Sequence, residues 1–345
     1  MLRYIREYED FARGYTDMFF KCVATLATSI VFYSVFVQPA GAQECKLTEV
    51  GSVDITAPNG EVLIPVKIDG VPENLRLNID VPYSYLAPDV GNQLKLIQIV
   101  LPYRDTDLLL GGEQLKHLNL RGKILALSVP TLQVGSLVAH NVRMYRASES
   151  TASGITGSIG LDFLNNYDVE LDIAKNKLNL FDPHHCAGQV VYWTHQPVAV
   201  VDMQPMPGGL YHYNFGLDGK TINATINPSN PMTVLAFPVA REKFGLTPSF
   251  PGVTPDSTYP GAGLYRFPFK ALSADGLSIT NPAVFLYGDI NMKVCDGELH
   301  QTIRDTGYRC RGDAAMNVGF HELRALHLFF AFSEKKLYVT AASAN

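Results

Sequence analysis

The chain repeats itself. Residues 69–86 contain Asp69-Gly70 and then Leu75-Arg76-Leu77-Asn78-Ile79-Asp80-Val81-Pro82-Tyr83-Ser84-Tyr85-Leu86. Displaced by 149 positions, residues 218–235 return the pattern without a gap: Asp218-Gly219, then Ala224-Thr225-Ile226-Asn227-Pro228-Ser229-Asn230-Pro231-Met232-Thr233-Val234-Leu235. Asn74/Asn223, Asn78/Asn227, Pro82/Pro231 and Leu86/Leu235 coincide, and Ser84/Thr233 are near matches. Each copy reads as a strand that enters a turn and leaves as an apolar strand. A duplication of this kind restricts the fold before any single element is assigned.

A second unit repeats at a displacement of 159. Ser158-Ile159-Gly160-Leu161-Asp162-Phe163-Leu164 lies on Asn317-Val318-Gly319-Phe320-His321-Glu322-Leu323, and Lys177-Leu178 lies on Lys336-Leu337. Its pattern predicts a strand, a glycine where backbones approach closely, a helical turn over 163–166, and a hairpin. A weaker third match sets residues 137–145 over 277–285. Between these units run short alternating or apolar stretches, such as 62–68, 123–127 and 138–145, bounded by Gly, Pro, Asn and Asp. That is the punctuation of an all-β chain. Residues 237–246 predict a short helix closed by Gly245, and the Pro-, Gly- and Ser-rich residues 248–263 predict a loop.

Charged residues make up 18% of the 345 and the net charge is −5, which excludes a polybasic nucleic-acid binder. Residues 22–37 form an apolar run that is short for a membrane span, and Pro39-Ala40-Gly41-Ala42 follows as a small-residue cleavage site. Residues 1–42 therefore predict a signal peptide, with Met18 as a candidate start, an exported chain and no stable span after cleavage; an uncleaved anchor is the other reading. Cleavage leaves Cys45, Cys186, Cys295 and Cys310, an even number that reads as disulfides in an exported protein. Of the three possible pairings, Cys45–Cys186 and Cys295–Cys310 are favoured. No cysteine or histidine spacing, His184-His185-Cys186 included, matches a metal site, so neither metal nor cofactor is expected and the histidines read as surface or hydrogen-bonded groups.

The two strand–turn units, each followed by an apolar-Gly unit, resemble the pepsin and retropepsin class of aspartic peptidases, and more closely the bacterial exported proteins that carry two retropepsin-like lobes in one polypeptide. The resemblance covers roughly residues 61–340. It implies an all-β, bilobal fold with pseudo-twofold symmetry, an N-terminal lobe over 43–188, a C-terminal lobe over 189–345, and a cleft where the two loops meet. In that family each lobe supplies apolar-D-T-G-[A/S]-x-x-[S/T]-x-apolar. Ser84 and Thr233 fix the register, so the D-T-G positions fall on Asn78-Ile79-Asp80 and Asn227-Pro228-Ser229.

Both aspartate positions thus hold asparagine. The family's chemistry needs two carboxylates sharing a proton, one to activate water and one to polarise the scissile carbonyl. An amide is neutral and cannot take that proton. The family's Thr hydroxyl ties the loops together, and neither Ile79 nor Pro228 can donate one. The resemblance therefore implies an exported aspartic-peptidase homologue without activity, whose cleft could hold an extended peptide or protein segment by backbone hydrogen bonds. Two alternatives are an active endopeptidase using Asp80 in a shifted register, and a structural cell-envelope factor. Asp305-Thr306-Gly307 lacks an apolar strand before it and reads as a turn. Asp162, Asp168 and Asp172 are expected at solvated hairpin positions. Gly-containing stretches near 108–114 and 260–265 are candidate flaps over the cleft.

Overall fold

The computed structural model describes residues 46–101, 119–120, 123–147, 154–206, 209–258, 263–288, 294–295, 298–303, 307–310 and 315–342. The expected leader, Cys45, the candidate flap at 108–114, residues 260–262 of the second candidate flap, and Asp305-Thr306 lie outside the described residues. In the first half the strands are β1 (Glu49–Asp54), β2 (Leu63–Ile68), β3 (Val71–Leu77), β4 (Tyr85–Leu86), β5 (Ile97–Leu101), β6 (Asn119–Leu120), β7 (Lys123–Val134), β8 (Leu137–Arg146), β9 (Gly157–Ile159), β10 (Asp168–Asp172) and β11 (Lys177–Phe181). In the second half they are β12 (Ala199–Asp202), β13 (Gln204–Pro205), β14 (Tyr211–Leu217), β15 (Lys220–Asn227), β16 (Thr233–Ala236), β17 (Thr254–Pro255), β18 (Tyr265–Arg266), β19 (Ala271–Ala274), β20 (Leu277–Thr280), β21 (Val284–Tyr287), β22 (Val294–Cys295), β23 (Glu298–Ile303), β24 (Gly307–Cys310), β25 (Met316–Gly319), β26 (Leu326–Ala331) and β27 (Lys336–Ala341). No helix among the described residues is long and apolar enough to cross a membrane.

Local sequence explains the hairpins. In β2 the side chains of Ile64, Val66 and Ile68 are buried while Pro65 and Lys67 are exposed, the period of a half-buried strand. Asp69 and Gly70 then both take positive φ (48° and 83°), the two-residue turn that matches strand twist. Asp218 and Gly219 repeat it at 44° and 78°. The short helix Phe237–Phe244 ends on Gly245 at φ 71°, as its sequence predicted. The helical turns after the glycine units run over Leu161–Leu164 and Phe320–Leu323, two residues earlier than expected.

The duplication is exact in its pairings. β3 runs parallel to β9 with Leu75 opposite Gly157, and β15 runs parallel to β25 with Ala224 opposite Met316. β4 crosses β9 antiparallel with Tyr85 opposite Ser158, and β16 crosses β25 with Val234 opposite Asn317. The weaker match also holds: Tyr85 pairs with Tyr145, and Val234 with Phe285. In the first lobe the order β2-β3-β9-β4-β8-β7 closes on itself where β7 returns to β2. This is the duplicated, two-lobed all-β architecture that the resemblance implied.

A six-stranded sheet, β1-β11-β10-β26-β27-β12, takes three strands from each half. Its middle pair, β10 and β26, sets Glu170 opposite Phe329. These two residues stand at equivalent places in the glycine units, so the pseudo-twofold axis passes between them. All of β10 is buried. Asp168 and Asp172, expected in solvent, are 0% and 3% exposed. The alternating Asp-Val-Glu-Leu-Asp pattern suggests a half-wet strand, but both faces of this one are covered. Residues of the connection between the halves lie over it: the Tyr192 hydroxyl donates to Glu170 (2.7 Å), and Trp193 stacks on His327 at 4.2 Å between ring centres. His327 reaches Glu170 through Nε2 at 2.7 Å. His185, also buried, meets Asp168, while His184 is exposed.

Candidate functional site

The candidate site is built where β3 and β15 end. Asn78 donates its backbone N–H to Ile159 O (3.0 Å), continuing the β3–β9 ladder, and Asn227 lies opposite Gly319 in the β15–β25 ladder. The strand register therefore equates Asn78 with Asn227, as it equates Ser84 with Thr233.

Beneath each loop a hydroxyl joins the two units. Ser84 accepts the N–H of Gly160 (2.9 Å) and donates to Asp162 (2.6 Å). Thr233 accepts the N–H of Gly319 (3.0 Å) and donates to Glu322. A β-carbon on Gly160 would lie 2.5 Å from Tyr83 O, and one on Gly319 would lie 2.1 Å from Met232 O, so both crossings require glycine. From sequence, Asp162 is expected at a solvated hairpin position and Glu322 is not singled out. Asp162 keeps an exposed residue surface but binds the loop hydroxyl instead of merely decorating a hairpin. Glu322 is 1% exposed, and its other oxygen takes the Ala283 N–H (2.9 Å). An acid shortly after each glycine was the available signal, hidden by unequal spacing: Asp162 stands two residues after Gly160 and Glu322 three after Gly319.

The lobes are tied across the junction by Ser229. Its hydroxyl lies 2.9 Å from both Val62 O and Leu77 O and shares its single proton between them. Val62 returns a backbone N–H to Pro228 O (3.3 Å). A crossing hydroxyl is thus present, one residue after Pro228, the position at which the resemblance implied it. On the other side, Ile79 is buried in the main apolar core.

Asp80 is the acid at the junction. Its Oδ2 accepts the Asn317 amide (3.0 Å), and the Asn227 side chain also donates to it. Asn227 spends its own oxygen on the Ser229 N–H (2.8 Å), which leaves its amide N–H groups for Asp80. Asn317 is held in turn by Thr225 (2.8 Å) and by Asn230 (3.0 Å). Burial pushes the Asp80 carboxyl up to about 6, against the pull of the Asn227 and Asn317 amides. Among the described residues no second acid contributes to that shift. The first loop therefore sends a carboxylate onto amides of the second lobe.

Cys186 is disulfide-bonded, and the Asp182 N–H to Thr48 O bond (2.9 Å) brings the start of β1 beside that segment. Cys295 and Cys310 lie on β22 and β24, on either side of β23. Among the described residues no group of three or more His, Cys, Asp or Glu is placed to hold a metal ion. A cavity of about 480 Å³ opens on the outer face of the first lobe beside Arg143, Tyr145 and Asp162, away from Asn78 and Asn227.

No protein-family model matches the chain, and no curated protein sequence matches it. Among solved structures, an aspartic proteinase from Irpex lacteus is similar over 85% of this chain and 97% of its own, at 12% identity and a TM-score of 0.47. Basic 7S globulin from soybean is similar over 87% and 96%, at 10% identity and 0.46. A retropepsin-like aspartic protease from Rickettsia conorii is similar over 40% and 95%, at 16% identity and 0.28.

Proposed function

We propose that the chain is an exported aspartic-peptidase homologue that does not cleave peptides and holds an extended polypeptide segment in the cleft between its lobes. One observation carries the loss of activity. Among the described residues the junction offers a single carboxylate, Asp80, engaged by two amides, while the positions that the resemblance assigns to the dyad are Asn78 and Asn227. One carboxylate cannot both activate water and polarise a carbonyl through a shared proton. Strand-like binding of a peptide backbone needs neither.

A second reading, an active endopeptidase built on Asp80, is favoured by that carboxyl's raised pKa of about 6. The two separate in one experiment. The mature protein is incubated with a mixed peptide library from pH 3 to 7, with and without a statine-type inhibitor, and both cleavage and retention of peptide are measured by mass spectrometry. Retention without cleavage is expected. Inhibitor-sensitive cleavage that disappears in Asp80→Ala would overturn the proposal, and neither retention nor cleavage would leave a structural role. Export is tested by N-terminal sequencing of the mature chain, which is expected to begin after Ala42; a mature chain that keeps Phe20 rejects it.

A further inference from the structure

We propose that the cavity on the outer face of the first lobe binds a free amino acid with a large apolar side chain, whose carboxylate meets Arg143 and whose ammonium meets Asp162. The cavity is about 480 Å³, a size that holds a small organic molecule. It lies between residues 139–145 of β8 and residues 162–167, at the helical turn after Gly160. Only Tyr145 and Arg146 of β8 pair with β4. The stretch before them has β7 on one side and, among the described residues, no strand on the other.

Two opposite charges line this space without meeting. Arg143 comes from the strand and Asp162 from the turn. Among the described residues no ion pair joins them, and none joins Arg143 to any other acid. Asp162 gives Oδ1 to the Ser84 hydroxyl (2.6 Å), yet the residue stays exposed on the cavity wall. A guanidinium matches a carboxylate through two parallel N–H donors, and a carboxylate accepts from an ammonium. The remaining walls are aromatic. Phe163 and Tyr167 lie 5.5 Å apart between ring centres, and Tyr145 packs on Tyr83 at 5.3 Å. Rings held in this way offer apolar surface at little entropic cost.

The second lobe is an internal control. At a displacement of 140, Asn141 and Asn281 both take positive φ (54° and 50°), and Tyr145 and Phe285 both pair with the strand that leaves the loop, which fixes the register. In that register Arg143 faces Ala283, and at the displacement of 159 Tyr167 faces Leu326. The fold therefore needs neither a cation nor a phenol at these places. The second lobe also bridges the gap with its own side chain. Glu322, 1% exposed, accepts the Thr233 hydroxyl on one oxygen and the Ala283 N–H (2.9 Å) on the other. Phe163 stands at that place in the first lobe and cannot make the bridge, and there the space is open.

The ligand class follows from these walls. A simple carboxylate would meet the like charge of Asp162, and a simple amine that of Arg143. A zwitterion answers both at once. Either end of a peptide carries only one of the two charges, so the ligand is the free amino acid. Its side chain lies against Tyr145, Phe163 and Tyr167. None of this depends on whether the cleft holds a peptide.

The test is a titration of the full mature chain with L-phenylalanine, read from backbone amide shifts by NMR. Shifts are expected over residues 139–145 and 162–167, with the second-lobe counterparts 279–285 and 321–326 unmoved. A dissociation constant of about 1 mM or below is expected for a ligand of this size. N-acetyl-L-phenylalanine and L-phenylalaninamide each lack one charge and are expected to bind about tenfold more weakly. Arg143→Ala and Tyr167→Leu introduce the residues that the second lobe carries at those places. Each is expected to weaken L-phenylalanine about tenfold while the melting temperature stays close to that of the wild type. No local shifts at about 10 mM ligand, equal binding of the two blocked forms, or an affinity unmoved by either substitution overturns the proposal. If a variant does not fold, the comparison of the three ligands on the wild type still decides.

Discussion

Ser84 shows how one side chain can hold a loop. Its hydroxyl receives the Gly160 N–H and donates to Asp162, so removing it strands a donor and an acceptor together. Ser84→Ala is expected to destabilise the protein by about 1–3 kcal/mol, read as a lower urea midpoint with unchanged slope. Asn227 is a different case. Its amide faces Asp80, and Asn227→Asp would set a second carboxylate against the first in the same buried space. The pair would share one proton. Loss of stability is expected above about pH 6, largely reversed under acid conditions, with pH-dependent melting as the measurement. Asn227 is thus the residue that gives the buried Asp80 carboxyl an amide to face.

At the level of elements, the loop 227–229 and the ends of β2 and β3 form one unit across the lobes. Ser229→Ala removes the hydroxyl shared between Val62 O and Leu77 O and is expected to cost about 1–1.5 kcal/mol. Faster hydrogen exchange at Val62, whose N–H crosses to Pro228, would locate the loss at the junction; unchanged exchange there would contradict it. Much of this scaffold was legible in the sequence. The offsets of 149 and 159 appear directly as strand partners, because parallel and antiparallel ladders propagate a fixed register. The Asp-Gly turns were legible for the same local reason. The Asp80–Asn317 contact was not, since it joins residues far apart in sequence through the relative placement of two lobes. Nor was the burial of Asp168 and Asp172. Alternation reports one covered face, and nothing local announces that residues 192–193 cover the other.

The whole molecule is held by polar contacts that cross its middle sheet as well as by its core. Asp168 of the first half takes the Ser333 N–H (3.1 Å) and hydroxyl (2.9 Å) from the second, and also meets His185. Burial alone would lower the His185 pKa, but Asp168, the Cys186 carbonyl and Glu334 outweigh it and raise it. A histidine raised in this way contributes stability that is present below its unfolded value and is lost as pH rises through its folded one. His185→Gln is expected to flatten that decline in melting temperature on the alkaline side; an unchanged pH profile would show that the pair is not felt. Consider, finally, the pair at the axis, Glu170 against Phe329. A first half mated with its own copy would press glutamate against glutamate in a dry seam, without the His327 whose Nε2 now lies 2.7 Å from Glu170. A second half mated with itself would supply that histidine twice and the acid not at all. Neither self-pairing would rebuild this contact. At this one contact the two halves are complementary and no longer copies: the acid comes from one and its histidine partner from the other.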